Sequence, residues 1–565
     1  MAKQKPLKWH EKVNQKLNLW ADSLKKKTLL PLESWFKSLS ASSKGYWKKN
    51  STIILILAII IIAAYGFDLF NLNLTIDEEI HSFYNPPETW IRQGRWAIYL
   101  LRKLLLPYTT VPFIPLFLGL CFHLAGMLIL VEVWGLKRAW HKVLVGALGI
   151  VCPVVATMYT FSIMNFAVGA GYLSVALSLL IFTRATRGWK YLAILPGIFG
   201  IGVYQAFLPT LLVAYLAYLV VQGLRENASL FKGSLQMLVI VVGSLAGYWS
   251  IQQLLQLSND AFISSYVTNQ LSLPASWQDF LVYGRSFLVE IFRMYTGHEL
   301  VYIDKLYALG ILMFLAAAAY LVEQAELQTR VGQKIWSLLL YISLIITPFI
   351  SGFFMRGAYI PRFLLSYPIA IAALVAAGLH NRHAIMRFLI LVFAVMTVFG
   401  FALADNRLFG ASHFALQADR LTAANLDLRI ADAIAEAGVT RDDIEYLEII
   451  GYLDYPESHL VPEIDTFGGS FFNWDQGNNI RIILFLRTLG VGDYQVLPDA
   501  QRLEMIPYAN TMPLWPDPKS VQVVGQTILV KFSPYSGLQQ TFICGSLYPG
   551  GGADQQACLD NFNAQ

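Results

Sequence analysis

Residues 51–69 read STIILILAIIIIAAYGFDL, an apolar run broken only near its end by Asp68. A helix needs roughly 17 to 25 predominantly apolar residues to cross about 30 Å of hydrocarbon, and this run has that length. Comparable runs recur near 110–134, 143–160, 165–183, 191–204, 206–222, 234–257, 305–322, 335–351, 362–379 and 388–404. Hydrophobic residues make up 56% of the 565 residues and charged ones only 14%, and the mean hydropathy is +0.50. No soluble core buries so large an apolar share, so the chain is read as an α-helical polytopic membrane protein with about eleven transmembrane helices. The stretch 191–222 is nearly continuous and is divided at Tyr204-Gln205-Ala206, where polar atoms and the nearby Pro209 suggest a tight turn.

Basic residues near span ends are retained in the cytoplasm, and their distribution supports that division. The first 50 residues carry twelve Lys against Glu11, Asp22 and Glu33. Lys137/Arg138/Lys142, Arg184/Arg187/Lys190, Arg225/Lys232, Arg330/Lys334 and Arg382/Arg387 then mark every second connection. Eleven spans from an inside N-terminus would place the loops 70–109, 258–304 and 351–361 and the C-terminal tail outside.

Residues 1–50 lack a cleavable signal pattern and read as a basic amphipathic arm, with Trp9, Leu17, Trp20, Leu24, Trp35 and Phe36 among the lysines. The alternative is a solvated basic tail. Residues 51–404 form the transmembrane domain. From 405 to 565 there are twenty Asp/Glu against nine Arg/Lys. At roughly 160 residues this segment can bury its own core and is expected to be an extracytoplasmic α/β domain. Leu416–Ala437 has helical periodicity with Gly438 as its stop, Tyr446–Gly451 and Val521–Phe532 look like strands, and Arg481–Leu486 suits either state.

Cys121 and Cys152 lie in apolar spans and are expected to be packed thiols, whereas Cys544 and Cys558, in the outer tail, are candidates for a disulfide. No Cys/His spacing resembles a zinc site. No Walker or dinucleotide glycine motif follows a strand, which disfavours nucleotide-driven transport, and no nucleic-acid partner is expected.

The first outer loop, TIDEEIHSFYNPPETWIRQGRW at 75–96, sets Asp77, Glu78 and Glu79 beside the membrane surface. Carboxylates there are costly to leave unsolvated, so they are functional-site candidates. After Asn85-Pro86-Pro87, residues 88–106 are predicted to form one amphipathic interfacial helix, with Trp90 and Trp96 on its apolar side and Arg92, Arg95, Arg102 and Lys103 supplying charge.

This arrangement resembles the lipid-phosphosugar-dependent glycosyltransferases of the GT-C class, and most of all the GtrII-type glucosyltransferases that decorate O-antigen and other surface glycans. The resemblance rests on Asp77-Glu78 after the first span, Trp90 with Gly94-Arg95-Trp96, residues 202–209 (GVYQAFLP), and a basic loop before a late span. Glu78 stands where a second Asp is common, and Glu79 follows it. The resemblance implies inverting transfer of a sugar, glucose above all, from a polyprenyl-phosphate donor to a cell-surface glycan or lipid-linked glycan outside the bacterial cytoplasmic membrane. It also implies a separate synthase for the donor and a flippase to deliver it.

Asp77 is expected to be the general base, with Glu78 positioning the acceptor or a divalent cation, Mg or Mn, if one is used. One or two of the three carboxylates could instead cap the following helix or pair with Arg92 and Arg95. Arg95, Arg356 and Arg362 are candidates for the donor phosphate, because arginine suits phosphate better than lysine does. Glu79, Trp90, Trp96, Tyr204, Gln205 and Tyr359 are candidates for the substrate cavity. Arg285, Arg293, His298 and Glu299 form a weaker cluster in the long outer loop, and His123 reads as an interhelical partner. Tyr452, Tyr455, Phe471, Phe472 and Trp474 could stack on sugars or form core. The rival readings are a transporter or flippase of lipid-linked sugars, and a GT-C enzyme with a different donor sugar.

Overall fold

The computed structural model describes residues 30–83, 87–106, 111–224, 229–258, 274–298, 303, 305–327, 331–355, 357–454, 468–549 and 551–563. Residues 1–59 and 60–565 form two compact units. The described part of the first is helical and belongs to a helix, Leu30–Phe70, that ends in the second. Most of the amphipathic arm, together with Arg356, Tyr455 and Glu299, lies outside the described residues.

Every apolar run read from the sequence is helical. Among the described residues, seven helices have the length and apolarity to cross a membrane: Asn50–Phe70, Ile114–Val133, Asn165–Arg184, Leu230–Ser258, Tyr307–Leu327, Val331–Phe354 and Ala384–Ala437. Ala139–Ile150 and Pro153–Tyr159, bent by 55°, together make an eighth. Gly188–Val203, Phe207–Gln222 and Tyr367–Gly378 are apolar but shorter. The protein is thus a multi-pass membrane protein with a small C-terminal sheet.

Side chains on the outside of the bundle are apolar, as Phe231, Leu235, Trp249 and Leu254 on one helix and Ile385, Phe388 and Phe399 on another illustrate. Several tyrosine hydroxyls within it donate to backbone carbonyls of other segments, since hydrocarbon offers no partner. Tyr65 Oη donates to Ile150 O at 2.7 Å, Tyr172 Oη to Leu365 O at 2.7 Å, and Tyr367 Oη to Met294 O at 2.6 Å. Buried His123 shares a 2.9 Å hydrogen bond with Tyr159 Oη and stacks on Tyr172, the interhelical role expected of it.

The last span does not stop where the composition changes. Ala384–Ala437 is one helix of 54 residues that carries the chain through position 405 into the C-terminal region and ends at Gly438. There a four-stranded sheet forms from β1 (Tyr446–Ile450), β2 (Gln495–Val496), β3 (Val521–Val524) and β4 (Thr527–Lys531), in the order β2-β1-β4-β3. β1 runs parallel to β2 and β4, and β3–β4 is an antiparallel hairpin. The ambiguous Arg481 segment is helical, within Asn479–Thr488. Cys544 and Cys558 are disulfide-bonded.

The core of this region joins Leu426 and Ile430 of the long helix to Leu447, Ile449, Phe485 and Ile528, and it also holds Ile76 of the loop after the first span. Ile76 is 1% exposed. Burying an isoleucine contributes about 1.5–3 kcal/mol, which anchors the acidic loop onto the C-terminal region.

Candidate active site

Ile76 fixes the backbone one residue before Asp77, which has φ +87°, a left-handed conformation uncommon outside glycine and best tolerated by Asp and Asn. The short helix Glu78–Phe83 follows. Glu78 and Glu79, adjacent on its first turn, point about 100° apart, so those two carboxylates meet different partners.

Glu78 is turned inward. Its Oε2 accepts from Thr75 N at 2.9 Å and its Oε1 accepts from Ser162 N, which ties the loop to the turn 160–164. Arg102 Nη1 donates to Ile163 O of that turn at 3.0 Å. Burial pushes the Glu78 carboxyl up to about 7, against the N–H donors that favour its charged form. The folded state therefore binds this proton more tightly than the unfolded chain does. Its contribution to stability is full below about pH 4.5 and is lost as pH rises through about 7. The slope of melting temperature against pH between 5 and 8 is accordingly expected to be negative and to flatten in Glu78→Gln, as read by thermal unfolding; an unchanged slope would contradict this.

Glu79 is also buried, with a side chain 0% exposed, and its Oε1 accepts from Arg481 Nη1 at 2.6 Å. Burial raises its carboxyl to about 7, opposed by Arg481. Asp77 faces outward, 42% exposed, and its Oδ1 accepts from Arg481 Nη2 at 2.7 Å. Arg481 Nε lies 3.4 Å from Asp475, so one guanidinium, 14% exposed, gathers three carboxylates. The partner of Asp77 and Glu79 is this arginine from the C-terminal region, neither Arg92 nor Arg95.

The position of Arg481 follows from its helix. Asn478 caps that helix by accepting from Arg481 N, and Asn479 Nδ2 donates to the buried Glu448 at 2.7 Å. Arg502 Nε donates to both Glu448 oxygens at 3.0 Å, which closes a fully hydrogen-bonded buried cluster against β1.

Across from Asp77, the expected interfacial helix is split into Pro87–Arg92 and Trp96–Leu105. The break falls at Gly94, φ +73°, where an added Cβ would stand 2.6 Å from Tyr248 Oη. Carbonyls freed by the break are claimed by side chains: Gln205 Nε2 donates to Gln93 O at 2.7 Å, Tyr248 Oη to Gly94 O at 3.0 Å, and Gln252 Nε2 to Ile91 O at 2.6 Å. This holds Arg95 over the ring of Tyr204, 4.5 Å from its centroid, and Tyr204 stacks in turn on Phe363.

A cavity of about 560 Å³ lies between these parts, lined among others by Asp77, Trp90, Arg95, Tyr204, Arg362, Trp474 and Arg481. Arg95 Nε and Arg362 Nε are buried without a hydrogen-bond partner among the described residues. A second cavity of about 370 Å³ shares Gln93, Arg95 and Tyr204 and is otherwise largely apolar, with Leu208, Pro209, Leu212, Ile350 and Phe354.

Thus Asp77, Trp90, Arg95, Tyr204 and Arg362 come together at one cavity, and Gln205 lines its neighbour. Glu78 and Glu79 do not line either cavity. Trp96 packs edge-on against Phe199, and Tyr359 sits against Phe349. Both Glu78 oxygens accept from backbone N–H groups, while Asp77 Oδ1 accepts from Arg481. Among the described residues no group of three or more His, Cys, Asp or Glu is arranged as a metal site. Phe471 and Phe472 belong to the core, whereas Trp474 reaches the cavity. Arg481 and Asp475 were not legible as site residues; the one local hint was an arginine in the first turn of a helix whose next residues are apolar.

The family model for glucosyl transferase GtrII matches residues 66–401, which run from the end of the first span into the last and contain the Asp77, Arg95, Tyr204 and Arg362 positions. Comparison with curated proteins and with solved structures gives no match. On the strength of that match over more than half of its length, the chain belongs to the GtrII glucosyl transferase family of membrane glycosyltransferases.

Proposed function

We propose that the protein transfers glucose from a polyprenyl-phosphate donor to a cell-surface glycan such as O-antigen, on the outer face of the bacterial cytoplasmic membrane and with inversion at the anomeric carbon. The observation that carries this reading is the cavity with the Asp77 carboxylate on one wall and Arg95 and Arg362 on another, beside an apolar cavity that shares Arg95. A carboxylate, an anion site and an apolar groove are the three things a lipid-phosphosugar transferase needs.

The acceptor oxygen bonds to the anomeric carbon as its proton passes to Asp77. The bond from that carbon to the phosphate oxygen breaks, and the charge arriving on the polyprenyl phosphate is met by Arg95 and Arg362. The isoprenoid chain would lie along Leu208, Leu212 and Ile350. Within this reading the eleven apolar helices all cross, in a GT-C-like arrangement with the N-terminus in the cytoplasm, and the charge of the connections supports that topology. The route needs no divalent cation. A separate synthase and flippase would supply the donor.

Arg95→Lys and Arg362→Lys keep the charge and lose the planar fork. Each is expected to raise the donor KM by roughly tenfold, measured as labelled transfer at varied polyprenyl-phosphate glucose. A donor KM unchanged in both variants would put the phosphate elsewhere and remove the support for this reading.

A further inference from the structure

The turn that carries Trp474 and Asp475 is held in a costly conformation. Four non-glycine residues among those described have left-handed backbone, and three of them, Asp77, Asp475 and Gln476, are at or next to this cavity. Such residues cost on the order of 1–3 kcal/mol each and persist where surrounding structure over-determines them. Here the surroundings do so. Gly477 continues the turn at φ +87°, where an added Cβ would lie 2.9 Å from the Gly451 carbonyl carbon. Ser536 Oγ donates to Gln476 O at 2.8 Å, and the buried Gln539 donates from Nε2 to Gly477 O at 2.7 Å. On the entering side, Asp419 of the long helix accepts from Ser470 Oγ at 2.6 Å and from Phe471 N at 2.8 Å.

The turn so held presents a half-buried indole, packed on the outer-domain core, together with a carboxylate, to the cavity that contains Asp77. Asp475 and Asp77 both meet the Arg481 guanidinium, at Nε and Nη2. We propose that Trp474 and Asp475 are the subsite for the acceptor sugar. The indole takes the apolar C–H face of a pyranose, and the Asp475 carboxylate accepts from one of its hydroxyls, which directs another hydroxyl of the same sugar toward Asp77. Arg481 is the positioning residue that fixes the two carboxylates relative to each other. The outer domain therefore selects the acceptor, while the membrane domain holds the donor. This inference rests on the glycosyltransferase reading above.

The test uses the full-length protein in lipid, synthetic polyprenyl-phosphate glucose, and glycan extracted from the cells that make the protein, each varied in turn. Trp474→Ala and Asp475→Asn are expected to raise the acceptor KM at least roughly tenfold, the loss of a charge-assisted hydrogen bond or a stacked face, and to leave the donor KM within about twofold. Trp474→Phe should fall between wild type and Trp474→Ala. Asn tolerates the left-handed backbone of position 475, so Asp475→Asn keeps the fold even if Trp474→Ala does not. An acceptor KM unchanged in Asp475→Asn, or a donor KM that rises in parallel, would overturn the subsite while the transferase reading stands. No transfer by wild type would overturn that reading and the subsite with it.

Discussion

Asp77→Asn is expected to lower sugar transfer by roughly 10²–10⁴-fold, the usual worth of a positioned general base. The variant is well suited to isolating chemistry from folding. Asn accepts a φ of +87° almost as readily as Asp. The neighbouring Ile76 still anchors the loop in the core of the C-terminal region, and Glu79 still meets Arg481. Membrane insertion and melting temperature should stay near wild type, while the donor KM should change little because Arg95 and Arg362 are untouched. Transfer by the variant within a few-fold of wild type would mean that another group takes the proton.

Arg481→Gln should have the largest effect on stability. It removes the only charged partner that Glu79 has among the described residues and takes the donor from Oε1, while Oε2 already lacks a hydrogen-bond partner in the wild type. Breaking a buried pair in this way costs roughly 3–5 kcal/mol. The Glu79 carboxyl, already at about 7, would move further up without the guanidinium, so the folded variant would take up a proton more readily. Its loss of stability should therefore shrink as pH falls toward 5 and be greatest above 7. Adding Glu79→Gln should recover most of the melting temperature at neutral pH, since no buried charge then lacks a partner. It should not recover transfer, because Asp77 would still lack its holder. Recovery of both by the double variant would assign Arg481 to stability alone.

How much of this was legible depended on the range of the interactions. Membrane spans follow from local apolarity, and each apolar run proved helical. Asp77, Arg95, Tyr204 and Arg362 could be picked out because their residue types and positions beside spans are unusual. Glu78 was assigned to positioning the acceptor or a cation and Glu79 to the substrate cavity, yet neither lines a cavity with Asp77; no local pattern tells which way each side chain of that turn faces. Gly94 likewise marks a break that the amphipathic pattern of 88–106 conceals. Composition changes at 405, but the backbone carries the last span straight through into the C-terminal region. Arg481 is a different matter. Its partner Asp77 lies 404 residues away in sequence, and no local pattern reports a contact of that range. The same holds for Ile76, an ordinary loop isoleucine until the core of the C-terminal region closes over it.

The most direct test is transfer of radiolabelled glucose by the purified full-length protein in lipid nanodiscs, with polyprenyl-phosphate glucose and UDP-glucose offered separately alongside the extracted glycan. The account predicts label in the glycan from the polyprenyl-phosphate donor alone, and none with Asp77→Asn. It would be contradicted if wild type transferred from no polyprenyl-phosphate hexose, and most plainly if the same protein in vesicles moved such lipids from one leaflet to the other.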